Sequence, residues 1–290
     1  MDLAGVYVPL ITPFEASGAV ALPALKVLAE QVIDDGASGI VALGTTAEPA
    51  SLSIAEQQSV LDVVGAVCRE RAVPLIVGAN SADALRALAR RPEVRSALAL
   101  VPPFLRPGQN AVVAHFEALA AASPVPLFVY HVPYRTGQPL SADALRRIAA
   151  IDNIIGIKHA VGGIDADTID FLADHPLGFA VLGGDDPFIS PLLALGAQGG
   201  ILASAHLATA AFVGLVEAWR SGDLAQARAL GHQLAPLSAA LFAEPNPTVI
   251  KAALHALGRI PTPHVRPPLL PAAASSRDTA LSLCQSLVRT

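Results

Sequence analysis

Eight short apolar runs punctuate the chain, and they restrict its fold more than any other feature: "VYVPLIT", "GIVALG", "PLIVGA", "ALALVPP", "PLFVYHVP", "IIGIKHA", "FAVLGG" and "GGILASA". Each is of strand length and apolar throughout instead of alternating with polar residues. Strands of that kind belong to a parallel sheet covered on both faces, since a half-exposed strand would show polar residues at every second position. Between the runs lie stretches with helical spacing, such as "PALKVLAEQVIDDG" and "DALRRIAAI". Their ends are marked: Ser53-Ile-Ala-Glu56 has the spacing of a capping box, and Gly36 stands where a helix C-cap would. Eight strand–helix units predict an α/β fold, a (β/α)8 TIM barrel over residues 1–223. A doubly wound sheet usually has fewer strands and a Gly-rich phosphate turn after the first, where this chain reads "ITPFEASG". Residues 224–290 predict a C-terminal α-helical extension whose last helix follows a Pro-rich turn.

Composition narrows the partners. With 53% hydrophobic residues in 290, the chain can bury one large core. A net charge of −5 and the lack of any Lys/Arg block give no electrostatic support to a nucleic-acid or anionic-membrane partner, so a small molecule is expected. The start "MDLAGVYVPLITPFE" lacks a basic segment followed by a long apolar one, and the apolar runs are interrupted before membrane-spanning length, so a cytoplasmic protein is expected. Cys68 and Cys284 lack CxxC spacing and sit in Ala- and Leu-rich contexts, where no redox or metal role is expected.

Barrel active sites collect at the C-terminal ends of the strands. The unusual residues of this chain fall there. "GTTAEPASLS" follows the second strand and offers hydroxyls and turn N–H groups to an anion. The fifth strand ends in Tyr130 and runs on to Arg135, the sixth ends in Lys158, and the seventh ends in "GGDD", Gly183 to Asp186. The chain has three lysines, and Lys26 and Lys251 lie on expected helices where a solvated stem is ordinary. Lys158 is the exception. A lysine deprived of water holds some free amine at neutral pH, which attacks a ketone and forms an imine. The rival reading pairs Lys158 with Glu48, Asp185 or Asp186 as a buried ion pair.

The order "GTTAE", "YHVPYRTG", "GIKHA" and "GGDD", with "EPNPTVIKAAL" in the tail, resembles the dihydrodipicolinate synthase and N-acetylneuraminate lyase family of pyruvate-dependent class I aldolases. The resemblance implies a Schiff base between Lys158 and C2 of pyruvate, with Tyr130 as proton shuttle and Thr45 beside it as the third catalytic residue. It implies a pyruvate carboxylate held at Thr45 and Thr46, further substrate contacts from Gly183, Gly184, Asp185 and Ile201, no metal or other cofactor, and a homotetramer built as a dimer of dimers. Arg135 in "VPYRTG" resembles the synthase branch, where the equivalent arginine holds the carboxylate of L-aspartate 4-semialdehyde.

The chain also departs from the synthase pattern. Phe104 stands where a tyrosine usually completes a proton relay with the partner subunit, leaving Tyr7 and Tyr134 as the remaining phenols, and His159 stands where synthases often have Glu. Ala47 replaces the glycine of "GTTGE", and an Ala methyl there is expected to be strained if the turn needs positive φ. Ile54, Gln57 and Pro103 occupy positions where lysine-inhibited synthases usually carry His, His and Tyr. Within the family, the alternatives are a catabolic 2-keto-3-deoxy sugar acid aldolase or dehydratase and a hydroxy-oxo-acid lyase. Outside it stand a non-catalytic keto-acid-binding barrel and a metal-dependent hydrolase, the latter disfavoured because no H-x-H occurs and His131, His159 and His206 are singletons.

Overall fold

The computed structural model describes residues 3–288. Its eight strands are β1 (Gly5–Pro9), β2 (Gly39–Ala42), β3 (Leu75–Gly78), β4 (Val94–Leu100), β5 (Leu127–His131), β6 (Ile154–His159), β7 (Ala180–Gly183) and β8 (Gly199–Ile201). Each overlaps one of the apolar runs, with β1 starting one residue earlier at Gly5 and β4 three residues earlier at Val94. All pair in parallel with their sequence neighbours, and β1 pairs with β8 to close the barrel. Closure leaves no sheet edge unpaired.

Two apolar layers hold the barrel. Alternate strand residues, among them Tyr7, Val41, Ile76, Leu98, Phe128, Tyr130, Leu182 and Ile201, fill its interior. The others, such as Val8, Ile40, Leu127, Val129 and Ile157, pack outward against the helices. The helix signals work as their chemistry requires: Ser53 and Glu56 cap the helix Ile54–Glu70 reciprocally, and Gly36 adopts a φ of 96° just beyond the helix Leu22–Asp34.

After the eighth unit, Asp223 caps the helix Leu224–Leu241, which packs along the preceding helix Ala205–Ser221. The helices Thr248–Ala256 and Ala274–Val288 follow. The tail is tied back to the barrel rim by charge. Arg266 donates to Glu56 at 2.5 Å and to the Ser51 carbonyl at 2.7 Å, and Lys251 donates to Glu48 at 2.5 Å. Among the described residues no helix is long and apolar enough to cross a membrane.

Candidate active site

The register of β5 and β6 sets Tyr130 directly beside Lys158, both pointing into the barrel near its C-terminal mouth. Lys158 is buried at 5% exposure, and its Nζ lies 4.5 Å from the centroid of the Tyr130 ring. The electron-rich face of that ring favours a cation at Nζ, whether an ammonium or an iminium. Space around the lysine stem is made by Gly184: a Cβ there would lie 2.6 Å from Lys158 Cε. Gly183 faces the other way, where a Cβ would meet Ile189 at 2.6 Å on the helix side. Ile201, fully buried at the end of β8, lines the same interior.

The carboxylates that could have neutralised Lys158 are engaged elsewhere. Glu48 pairs with Lys251, Asp185 accepts from the Tyr134 hydroxyl at 2.8 Å and from the Gly162 N–H at 2.5 Å, and Asp186 accepts from the Ser204 N–H at 2.6 Å. Among the described residues, no ion pair includes Lys158. Asp186 is buried at 1% exposure with Oδ1 unpartnered, and burial pushes its carboxyl up to about 6, against the opposing pull of Lys158.

The "GTTAE" segment forms a single 3-10 turn, Thr45–Ala47, directly after β2. Its first two N–H groups, of Thr45 and Thr46, have no acceptor within the turn. Thr46 Oγ1 accepts from Asn246 Nδ2 at 2.9 Å. The expected strain at Ala47 is not found. Ala47 lies inside the turn, and the left-handed positions are its flanks, Leu43 at φ 53° and Glu48 at φ 54°. Such φ values in non-glycine residues cost about 1–3 kcal/mol each and persist where the surroundings hold them. Glu48 is held through both carboxylate oxygens, by Lys251 Nζ and by the Arg266 N–H at 2.8 Å.

Lys251 corrects a second expectation. It is fully buried, where a solvated stem was expected, with its Nζ 4.0 Å from the Phe14 ring centroid and donating to the His264 carbonyl at 2.9 Å. A signal lay in "TVIKAAL", where every helical neighbour of the lysine is apolar or small, as on a fully packed helix. The sequence reading offers Glu48 as a partner for Lys158 and not for Lys251, and does not include Asn246 in the site, because the true partners lie about 200 residues away.

Arg135 stands apart from Lys158, exposed on the short helix Pro133–Thr136, its guanidinium 6.0 Å from the Tyr134 ring centroid. With Tyr134, Asp185, Phe188 and Asn246 it borders a cleft of about 430 Å³ at the barrel mouth. Burial, and then the charge of Asp185, raise the Tyr134 phenol, so it stays a donor at neutral pH. A larger hollow of about 690 Å³, beside Pro74 and Arg95, lies at the opposite end of the strands and away from every residue above.

Two histidines taken for singletons meet in space. His131 and His159 point outward from β5 and β6 with ring centroids 5.7 Å apart, and burial pushes His131 down to about 3 and His159 below its ordinary range. Both are neutral at pH 7. His159 Nε2 donates to Thr168 Oγ1 at 2.8 Å, since the threonine proton goes to Asp165 at 2.6 Å. His206 is separate, accepting the Ile11 N–H on Nε2. Among the described residues no three His, Cys, Asp or Glu side chains gather as a metal site would require.

Comparison with known proteins agrees with this fold. The chain is 37% identical over 274 residues to the 4-hydroxy-tetrahydrodipicolinate synthase of Neisseria meningitidis serogroup B, covering 93% of each chain. It is 38% identical over 289 residues to the enzyme of the same name from Syntrophus aciditrophicus, covering 97% of each. Its fold superimposes on the crystal structure of the chloride-inhibited dihydrodipicolinate synthase of Acinetobacter baumannii complexed with pyruvate, with a TM-score of 0.91 and 33% identity over 98% of this chain and 99% of that one. The model of the dihydrodipicolinate synthetase family matches residues 2–286, and with relatives this similar along nearly the whole chain, the protein belongs to that family.

Proposed function

We propose that this chain is a 4-hydroxy-tetrahydrodipicolinate synthase that condenses pyruvate with L-aspartate 4-semialdehyde through a Schiff base on Lys158. The observation that carries the reading is the environment of Lys158: buried, facing the barrel mouth, beside a phenol, and in no ion pair among the described residues. The synthase names of the relatives favour this reaction over cleavage of a sugar-derived keto acid.

The steps follow from the residues. The Lys158 amine attacks C2 of pyruvate, and the carbinolamine loses water to give an iminium over the Tyr130 ring. Tyr130 donates the proton that the departing hydroxide needs and regains one from the substrate methyl as the enamine forms. The enamine carbon bonds to the aldehyde carbon, and the amino group of the second substrate then displaces Lys158 from C2, closing the ring and freeing the enzyme. One water leaves in the whole sequence, at imine formation. Thr45 and Thr46 hold the pyruvate carboxylate, Gly184, Asp185 and Ile201 shape the substrate pocket while Gly183 serves the helix side of β7, and Arg135 takes the aldehyde's carboxylate.

Phe104 and Leu105, 87% and 78% exposed side by side, support a homotetramer in which this loop is covered by a second copy. The further reading is of a cytoplasmic enzyme with its barrel in residues 1–223 and a helical extension in residues 224–290. Incubation with pyruvate and borohydride, followed by intact mass and peptide mapping, tests the mechanism. One reduced pyruvyl adduct on Lys158, lost in Lys158→Ala, is expected; an adduct on Lys26 or Lys251, or none, overturns it.

A further inference from the structure

We propose that the C-terminal tail positions the pyruvate-binding turn through the buried Lys251–Glu48 pair, so that Lys251 is a positioning residue for the keto acid although it never touches it. The inference rests on the assignment of the substrate carboxylate to Thr45 and Thr46.

Three contacts reach the turn Thr45–Ala47 from outside it. Glu48 closes its C-terminal end, its N–H donating to the Thr45 carbonyl at 3.3 Å, in a left-handed conformation that the chain would not hold unaided. Both Glu48 carboxylate oxygens receive donors from the tail, Lys251 Nζ at 2.5 Å and the Arg266 N–H at 2.8 Å. Asn246, also in the tail, donates to Thr46 Oγ1 at 2.9 Å, which leaves the Thr46 hydroxyl proton free to point at a substrate anion. On the barrel side, Thr12 Oγ1 donates to the Ala47 carbonyl at 2.8 Å.

Stability alone is a poor account of this arrangement. Side-chain exposure is 0% for Lys251 and 4% for Glu48, and a buried pair of that kind is often matched or exceeded in stability by apolar residues of the same volume. Apolar residues, however, cannot fix a carboxylate from two sides. The charge pair converts a glutamate beside the turn into a rigid strut, with Lys251 itself located by the His264 carbonyl and the Phe14 ring face.

The test compares wild type with Lys251→Met, which keeps the stem and removes the charge, and with Glu48→Gln. Each is titrated with pyruvate, trapped with borohydride, and read by intact mass. For both variants the half-saturating pyruvate concentration should rise about tenfold, short of the roughly hundredfold that a misplacement of about 1 Å can cost, while saturating pyruvate still labels Lys158 fully. Lys26→Met, on the surface, should match wild type. If Lys251→Met does not accumulate as folded protein, Glu48→Gln decides by the same readout. A lowered Tm with half-saturation within twofold of wild type overturns the positioning role and leaves the synthase reading intact. Failure of the wild type to trap pyruvate on Lys158 overturns the synthase reading first, and this proposal with it.

Discussion

Replacing Gly184 with alanine asks whether the space around Lys158 is a condition for chemistry. The backbone accepts alanine, because Gly184 is not among the positive-φ glycines. The added Cβ would lie 2.6 Å from Lys158 Cε, 2.7 Å from its Cγ and 3.1 Å from Ala160 Cβ, whereas ordinary contacts begin at 3.4 Å. The lysine stem must therefore retreat by about 0.8 Å, and being flexible it can do so for about 1–3 kcal/mol, the usual range for overpacking. The Nζ then leaves its place 4.5 Å over the Tyr130 ring. A shift of about 1 Å at a reacting atom costs roughly a hundredfold in rate. The expected result is a fall of that order in the rate of borohydride-trapped adduct formation with pyruvate, with a modest drop in Tm. Gly183→Ala is the matched comparison: its Cβ strikes Ile189 and Leu192 on the far side of β7, so it should lower Tm while leaving the trapping rate of the folded protein close to wild type. Wild-type trapping by folded Gly184→Ala would refute the reasoning.

Asp186, held near 6 by burial, retains a proton between about pH 4 and 6 that the unfolded chain releases, so its contribution to stability falls as pH rises through that window. Asp186→Asn should therefore gain on wild type by about 3 kcal/mol in denaturant melts between pH 4 and pH 7, and parallel curves would contradict this. Arg135→Ala should leave the pyruvate adduct intact and lower kcat/KM for aspartate semialdehyde by about fivefold, the loss expected for a charge pair at an exposed site; an unchanged kcat/KM would separate Arg135 from that carboxylate. Phe104→Tyr should raise synthase turnover by restoring a phenol to the proposed subunit boundary, which steady-state kinetics at matched protein concentration would check. L-Lysine at millimolar concentration should not inhibit, since Ile54 is 79% exposed and apolar and Gln57 Nε2 is occupied by the Pro49 and Leu52 carbonyls; a saturable inhibition curve would refute this.

The barrel was legible because it is written locally. Each strand overlaps a contiguous apolar run, helices such as Ile54–Glu70 and Ala142–Ala149 carry their own N-caps, and their alternation leaves few ways to bury both faces of the sheet. Lys158 could be singled out for the same reason: an ammonium ending an apolar strand stands out without reference to any other residue. What surrounds it could not be read that way. Whether Lys158 is paired or free depended on where Glu48, Asp185 and Asp186 point, and their partners Lys251, Tyr134 and Ser204 come from other segments. The condition for strain at Ala47 is not met, because the left-handed positions around the turn are Leu43 and Glu48, the latter restrained by the tail. Thus the sequence by itself determined the barrel, the rim that carries the chemistry and the lysine at its centre. Only the tertiary structure decided the burial of Lys251 and its grip on Glu48, because that pair joins positions 203 residues apart, and no local pattern records which charge a distant helix brings to meet another.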